Sequence, residues 1–141
     1  MSKPFTGLLL ALVVGCATPR THGNFLGGGQ AAQQARMALD AADVLGVLYP
    51  AGSTPLELEP GDDVFSRTLI AELRKRGFAI LSEGADARAA VKLLYIVDPL
   101  GRFLRLTLVV RSAHETLAIA RAYAPTKEGV QPAGAWARMV R

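Results

Sequence analysis

Three consecutive alternating stretches in the second half of the chain constrain its fold most. Residues 89–97 put Val91, Leu93, Tyr95 and Val97 on one side. Residues 103–112 put Leu104, Leu106, Leu108 and Val110 inward and Arg105, Thr107 and Arg111 outward. Residues 116–124 make a third stretch after Ala113-His114-Glu115. A period of two marks a strand with one buried face. Connections this short join antiparallel neighbours, because a parallel return needs a crossover of a dozen or more residues. Asp98-Pro99-Leu100-Gly101 has the residues of a turn and is expected to join the first two strands. The spacing therefore predicts an antiparallel meander with a polar face that is solvated or docks a partner.

Upstream, the period changes. Ala35, Ala38, Ala42, Leu45 and Tyr49 recur at spacings of three and four, which predicts a helix over residues 30–49 with an alanine-rich face. Pro50-Ala51-Gly52-Ser53 ends it. Residues 54–59 alternate, with Leu56 and Leu58 opposite Glu57 and Glu59, and read as a strand. Asp62 or Asp63 can cap a second helix bearing Phe65, Leu69, Ile70 and Leu73. Arg74, Lys75 and Arg76 suit its negative C-terminal end, and Gly77 suits the left-handed position beyond it. Residues 78–82 form a further short strand. The order α-β-α-β-β-β-β implies an α+β two-layer sandwich, a mainly antiparallel sheet with two helices on one face. The chain of 141 residues holds one such domain, assigned to residues 30–125. Residues 126–141, with Gly129, Pro132 and Gly134, read as a tail. It carries the lone tryptophan, Trp136, which either packs back on the sheet or anchors a partner.

The N-terminus reads as an address. Lys3 precedes the apolar run from Gly7 to Val14, which is too short to span a bilayer. The run ends in Gly15-Cys16, and Cys16 is the chain's single cysteine. A small residue before a cysteine resembles the bacterial lipobox, so residues 1–15 are expected to be a lipoprotein signal peptide and Cys16 the lipid attachment site. Ala17 follows, not the aspartate that marks inner-membrane retention, so the expected location is the outer membrane, facing the periplasm. Residues 16–29, rich in Gly, Thr, Pro and Asn, are expected to be a flexible tether reaching roughly 45 Å at most.

Chemistry-bearing patterns are lacking. One cysteine excludes a disulfide framework and a Cys-rich metal centre. His22 and His114 stand far apart with no partner at ligand spacing. Gly27-Gly28-Gly29 has neither a preceding strand nor a following Gly-Lys-Ser/Thr, so it reads as linker, not a phosphate cradle. Glu57 and Glu59 read as solvent-facing carboxylates. No nucleophile elbow, His-Glu-x-x-His or dinucleotide fingerprint occurs. No catalytic residue, cofactor, metal or small-molecule substrate is expected. Residues 16–98 hold eight basic and ten acidic side chains, residues 99–141 seven and two. The basic C-terminal part suits solvated strands or an acidic partner. The Arg74–Arg76 triplet lacks interleaved aromatics, so direct contact with nucleic acid is not expected. Trp136, Arg105 and Arg111 are the candidate partner-binding residues.

Several segments together resemble a known family. They are Gly15-Cys16-Ala17-Thr18-Pro19, Gly23-Asn24-Phe25, Leu48-Tyr49-Pro50, the run Phe65…Leu69…Leu73-Arg74…Gly77-Phe78-Ala79-Ile80, and Pro132-Ala133-Gly134-Ala135-Trp136-Ala137-Arg138. The chain is similar over nearly its whole length to TrbH, the lipoprotein of conjugal-transfer (mating-pair formation, type IV secretion) systems. The terminal Pro-Ala-Gly-Ala-Trp segment is the most specific part. Phe78 stands where a tyrosine is more common. The resemblance implies an assembly role beside the protein subunits of the channel core, with a membrane anchor through Cys16. The competing expectation is a stand-alone envelope lipoprotein, acting in exclusion or cell-wall binding.

Overall fold

The computed structural model describes residues 21–28, 30–82, 84 and 90–140. The expected signal peptide and Cys16 lie outside the described residues. In chain order the elements are β1 (Gly23–Asn24), α1 (Ala31–Leu48), a 3₁₀ turn (Ala51–Ser53), β2 (Leu56–Glu57), α2 (Val64–Lys75), β3 (Ile80–Leu81), β4 (Val91–Leu100), β5 (Phe103–Arg111), β6 (Thr116–Thr126), β7 (Gly129–Pro132) and β8 (Ala137–Val140).

The helices stop and start as local chemistry requires. Asp63 caps α2, its side chain accepting from Ser66 N at 3.0 Å. At the other end Gly77 takes φ +92°. Phe78 N then bonds Leu73 O, and Gly77 N bonds Arg74 O. This paired closure is a Schellman motif, with buried Phe78 and Leu73 as its hydrophobic contact. Helix α1 lies alongside α2. Ala38, Ala41 and Ala42 are fully buried, and such small residues suit that close approach.

The sheet runs β3-β2-β4-β5-β6-β7, with β1 also on β4 and β8 also on β6. The pairings of β1, β2 and β3 are parallel and the rest antiparallel. This is the α+β sandwich expected from the alternation. Leu93, Tyr95 and Val97 of β4, Leu104, Leu106, Leu108 and Val110 of β5, and Leu117, Ile119 and Tyr123 of β6 are all buried. They join Met37, Leu45, Phe65 and Leu69 of the helices in a single core. Among the described residues no helix covers the opposite face.

Three local features differ from the sequence reading. The first is the turn expected at Asp98-Pro99. Strand β4 continues through Pro99, which pairs with Leu104, and the chain reverses at Gly101-Arg102. Val97 O accepts from Phe25 N, on the edge away from β5. By alternation Pro99 faces the same edge, so its missing N–H costs no bond to β5. Gly101 alone takes positive φ, +59°, as the first loop residue of a type II′ hairpin does.

The second is the tether. Residues 23 and 24 pair with Ile96 and Val97 of β4 instead of standing free. The third is the tail. Strands β7 and β8 both pair with β6, so residues 129–140 form one edge strand interrupted at 133–136. Four residues there oppose Arg121 and Ala122 alone, a bulge larger than the common two-against-one kind.

Candidate functional site

Two polar clusters and one bare face stand out. The first cluster fills the bulge of the C-terminal edge strand. Arg121 follows Leu117 and Ile119 in the inward phase of β6, so a guanidinium enters a row of buried apolar side chains. It is held on three sides. Its Nη1 donates to both carboxylate oxygens of Asp40 on α1, at 3.1 and 3.0 Å. Its Nε donates to Gly134 O at 2.8 Å. Its guanidinium carbon lies 5.7 Å from the centroid of the Trp136 ring. The fully buried Tyr123 donates its hydroxyl to Asp40 Oδ2. Burial first, and then this bond, push the Tyr123 phenol well above its ordinary range.

The second cluster ties the N-terminal strand to both helices. Asn24 Nδ2 donates to Gln34 Oε1 at 2.9 Å and to Asp63 Oδ1 at 3.1 Å. Asn24 Oδ1 accepts from Leu26 N at 2.9 Å. Gln34, buried on α1, also accepts from Phe65 N. One amide therefore joins β1, α1 and the cap of α2. Beside it a cleft of about 790 Å³ opens between β1 and β2, lined by His22, Glu57, Glu59, Asp62, Arg67 and Lys92 among others. Its charges are partly occupied: Lys92 lies 3.9 Å from Glu57, and Arg67 donates to Asp62 O. Asp63, which also lines it, is spent on capping.

The helix-free face carries Arg105 and Arg111. Arg105 Nε donates to Asp98 Oδ1 at 3.0 Å across the β4–β5 ladder, a pairing that raises the guanidinium's pKa further. Arg111 is exposed at the far end of β5. Trp136 is half-buried and packs against the core beneath Arg121. The three candidate partner-binding residues thus have different environments: Arg111 is exposed, Arg105 is paired and part-exposed, and Trp136 is half-buried. Cys16 lies outside the described residues. His114 sits exposed at the β5–β6 turn, its backbone N–H on Ser112 Oγ. Among the described residues no group of three His, Cys, Asp or Glu side chains could hold a metal ion. No helix among them is long and apolar enough to cross a membrane.

The model of the family described as conjugal transfer protein TrbH matches residues 20–140. That is most of the chain. This chain belongs to the TrbH family of conjugal transfer proteins. No match is found among curated proteins or among solved structures. In this TrbH family member, both polar clusters fall within the matched region, whereas Cys16 lies just before it.

Residue patterns point to Trp136 but not to Asp40, Arg121 and Tyr123 of the same cluster, for which the available signal is a charge in the inward phase of β6. Asn24 stood in the noted Gly-Asn-Phe segment, and Gln34 was the polar residue next to an apolar stripe.

Proposed function

We propose that this protein is a lipid-anchored assembly component of the conjugative type IV secretion apparatus in the bacterial envelope. Membership of the TrbH family carries the reading. The ordered signal upstream of the match supports the anchor: Lys3, the apolar run, Gly15 and Cys16. Acyl chains on Cys16 contribute about 0.8 kcal/mol per buried CH₂, and several chains together hold a protein stably. Ala17 directs it to the outer membrane, with the domain in the periplasm. Its partners are protein subunits of the channel core. The helix-free face offers the docking surface at its Arg111 end. Arg105 and Trp136 hold the sheet's shape beside it through Asp98 and Arg121.

Deleting the gene in donor cells is expected to lower transfer frequency by orders of magnitude. The full chain restores it, and Cys16→Ser does not. Undiminished transfer from the deleted donor contradicts the assembly role. A defect confined to recipients, with no channel subunit recovered from donor envelopes, favours the stand-alone lipoprotein instead.

A further inference from the structure

The link from Cys16 to the sheet is short. Gly23 and Asn24 are in the sheet, and Asn24 is bonded to Gln34 and Asp63. Between Cys16 and Gly23 lie seven Cα steps, which span about 25 Å at most whatever their conformation. A lipid on Cys16 therefore confines the domain to the membrane surface. A tether free to residue 29 would reach almost twice as far.

The end of the sheet nearest β1's exit along β4 fits such a surface. Strand β1 runs parallel to β4, so Phe25 continues toward Leu100. Alternation puts Phe25 on the helix-free face, because its neighbour Asn24 points to the helices. Phe25 is 47% exposed and Leu100 43%. Leu100 pairs with Phe103 across the hairpin, and the Arg102 guanidinium lies 4.9 Å from the Phe103 ring centroid. The nearby carboxylate of Asp98 is neutralised by Arg105. Exposed apolar side chains with an arginine over a ring match an interface of acyl chains and anionic headgroups. Leu100 stands four residues along β4 from Ile96, where β1 begins, about 13 Å away and within the tether's reach. At the other end the loop Ser112 to Glu115 is polar, and the exposed apolar side chains there, Met139 and Val140, belong to β8 on the edge of the sheet away from β1.

We propose that β1 straps the domain against the bilayer with Phe25, Leu100, Arg102 and Phe103 as its lipid-facing rim. This rests on acylation of Cys16. The test uses the full acylated chain in vesicles of phosphatidylethanolamine and phosphatidylglycerol. A nitrobenzoxadiazole probe is placed on Leu100→Cys, Phe25→Cys or His114→Cys, since an acylated Cys16 thioether does not react. Probes at 100 and 25 are expected to shift to the blue and lose most of their emission to doxyl-labelled lipid, while the probe at 114 does neither. Inserting about a dozen Gly/Ser residues before Pro19 is expected to weaken the quenching. Aqueous probes at 25 and 100 on a chain whose mass shows acylated Cys16 would overturn the rim and leave the anchor standing. Shielding at those positions only when channel subunits are added would assign the rim to a protein, and also overturn it. An unacylated Cys16 would overturn the anchor, and the rim with it.

Discussion

At the residue scale, a few positions hold conformations or polar groups that nothing else can supply. Gly77 closes α2 at φ +92°, with Ala51 Cβ 3.8 Å from where its own Cβ would stand. Space is adequate there, so the cost of Gly77→Ala is backbone strain, about 1–2 kcal/mol. Urea denaturation is expected to show that loss with an unchanged m-value. Asp40 accepts from both Arg121 and Tyr123. Asp40→Ala leaves a buried hydroxyl and a guanidinium without their acceptor, at a cost of about 1–3 kcal/mol. Tyr123 also makes stability depend on pH. Its phenol stays neutral in the folded chain above the ordinary value of 10.0 because burial and the Asp40 bond oppose ionisation. Below pH 10 the phenol is neutral folded and unfolded, so its contribution is complete. Above it the unfolded chain ionises first, and stability falls as pH rises. Tyr123→Phe is expected to flatten much of that alkaline slope in a pH series of denaturation midpoints. Tyr49, raised chiefly by burial, keeps a share.

At the element scale, the C-terminal strand depends on side chains more than on its own ladder. Strand β8 has four residues, all exposed, and a four-residue bulge separates it from β7. Arg121 bridges that gap to Gly134 O and Trp136. Trp136→Ala is expected to raise amide exchange at residues 137–140 at least tenfold while β4 and β5 keep their protection. Equal exchange in both variants would show that the ladder alone holds β8. These elements also show what was legible in the sequence. The meander was, because Leu104 to Val110 and Leu93 to Val97 alternate without interruption. Both helices were: α1 from the spacing of Ala35 to Tyr49, and α2 because caps and spacing agree at Asp63 and Gly77. Strands β7 and β8 were not, because they keep β6 company over stretches of four residues that contain Pro132 and no sustained alternation. The end of β4 reads as a turn for a related reason: Pro99 breaks a strand only where its N–H is needed, and a sequence does not show which edge a residue faces. Strand β1 was hidden because two residues carry no period, and its hold comes from the Asn24 side chain.

At the scale of the whole molecule, one helix layer covers one sheet face, and among the described residues no helix covers the other, the face proposed for docking. Strapping residues 23–26 to the sheet shortens the link to Cys16, so the proposed anchor and rim would form one membrane-proximal unit with the sheet. Asn24→Ala removes the bonds to Gln34 and Asp63 and is expected to free β1. Proteolysis near residue 25 should then speed up severalfold while the core from α1 to β8 stays resistant. Transfer would fall if the domain's distance from the membrane matters to assembly. Every part of this arrangement depends on the fate of the first sixteen residues. The most direct measurement is the intact mass of the protein extracted from envelopes of its native host, with sequencing of its N-terminal peptide. The account predicts a chain that begins at Cys16 and carries acyl mass on it. A chain that begins at Met1, or a Cys16 with a free thiol, would contradict it.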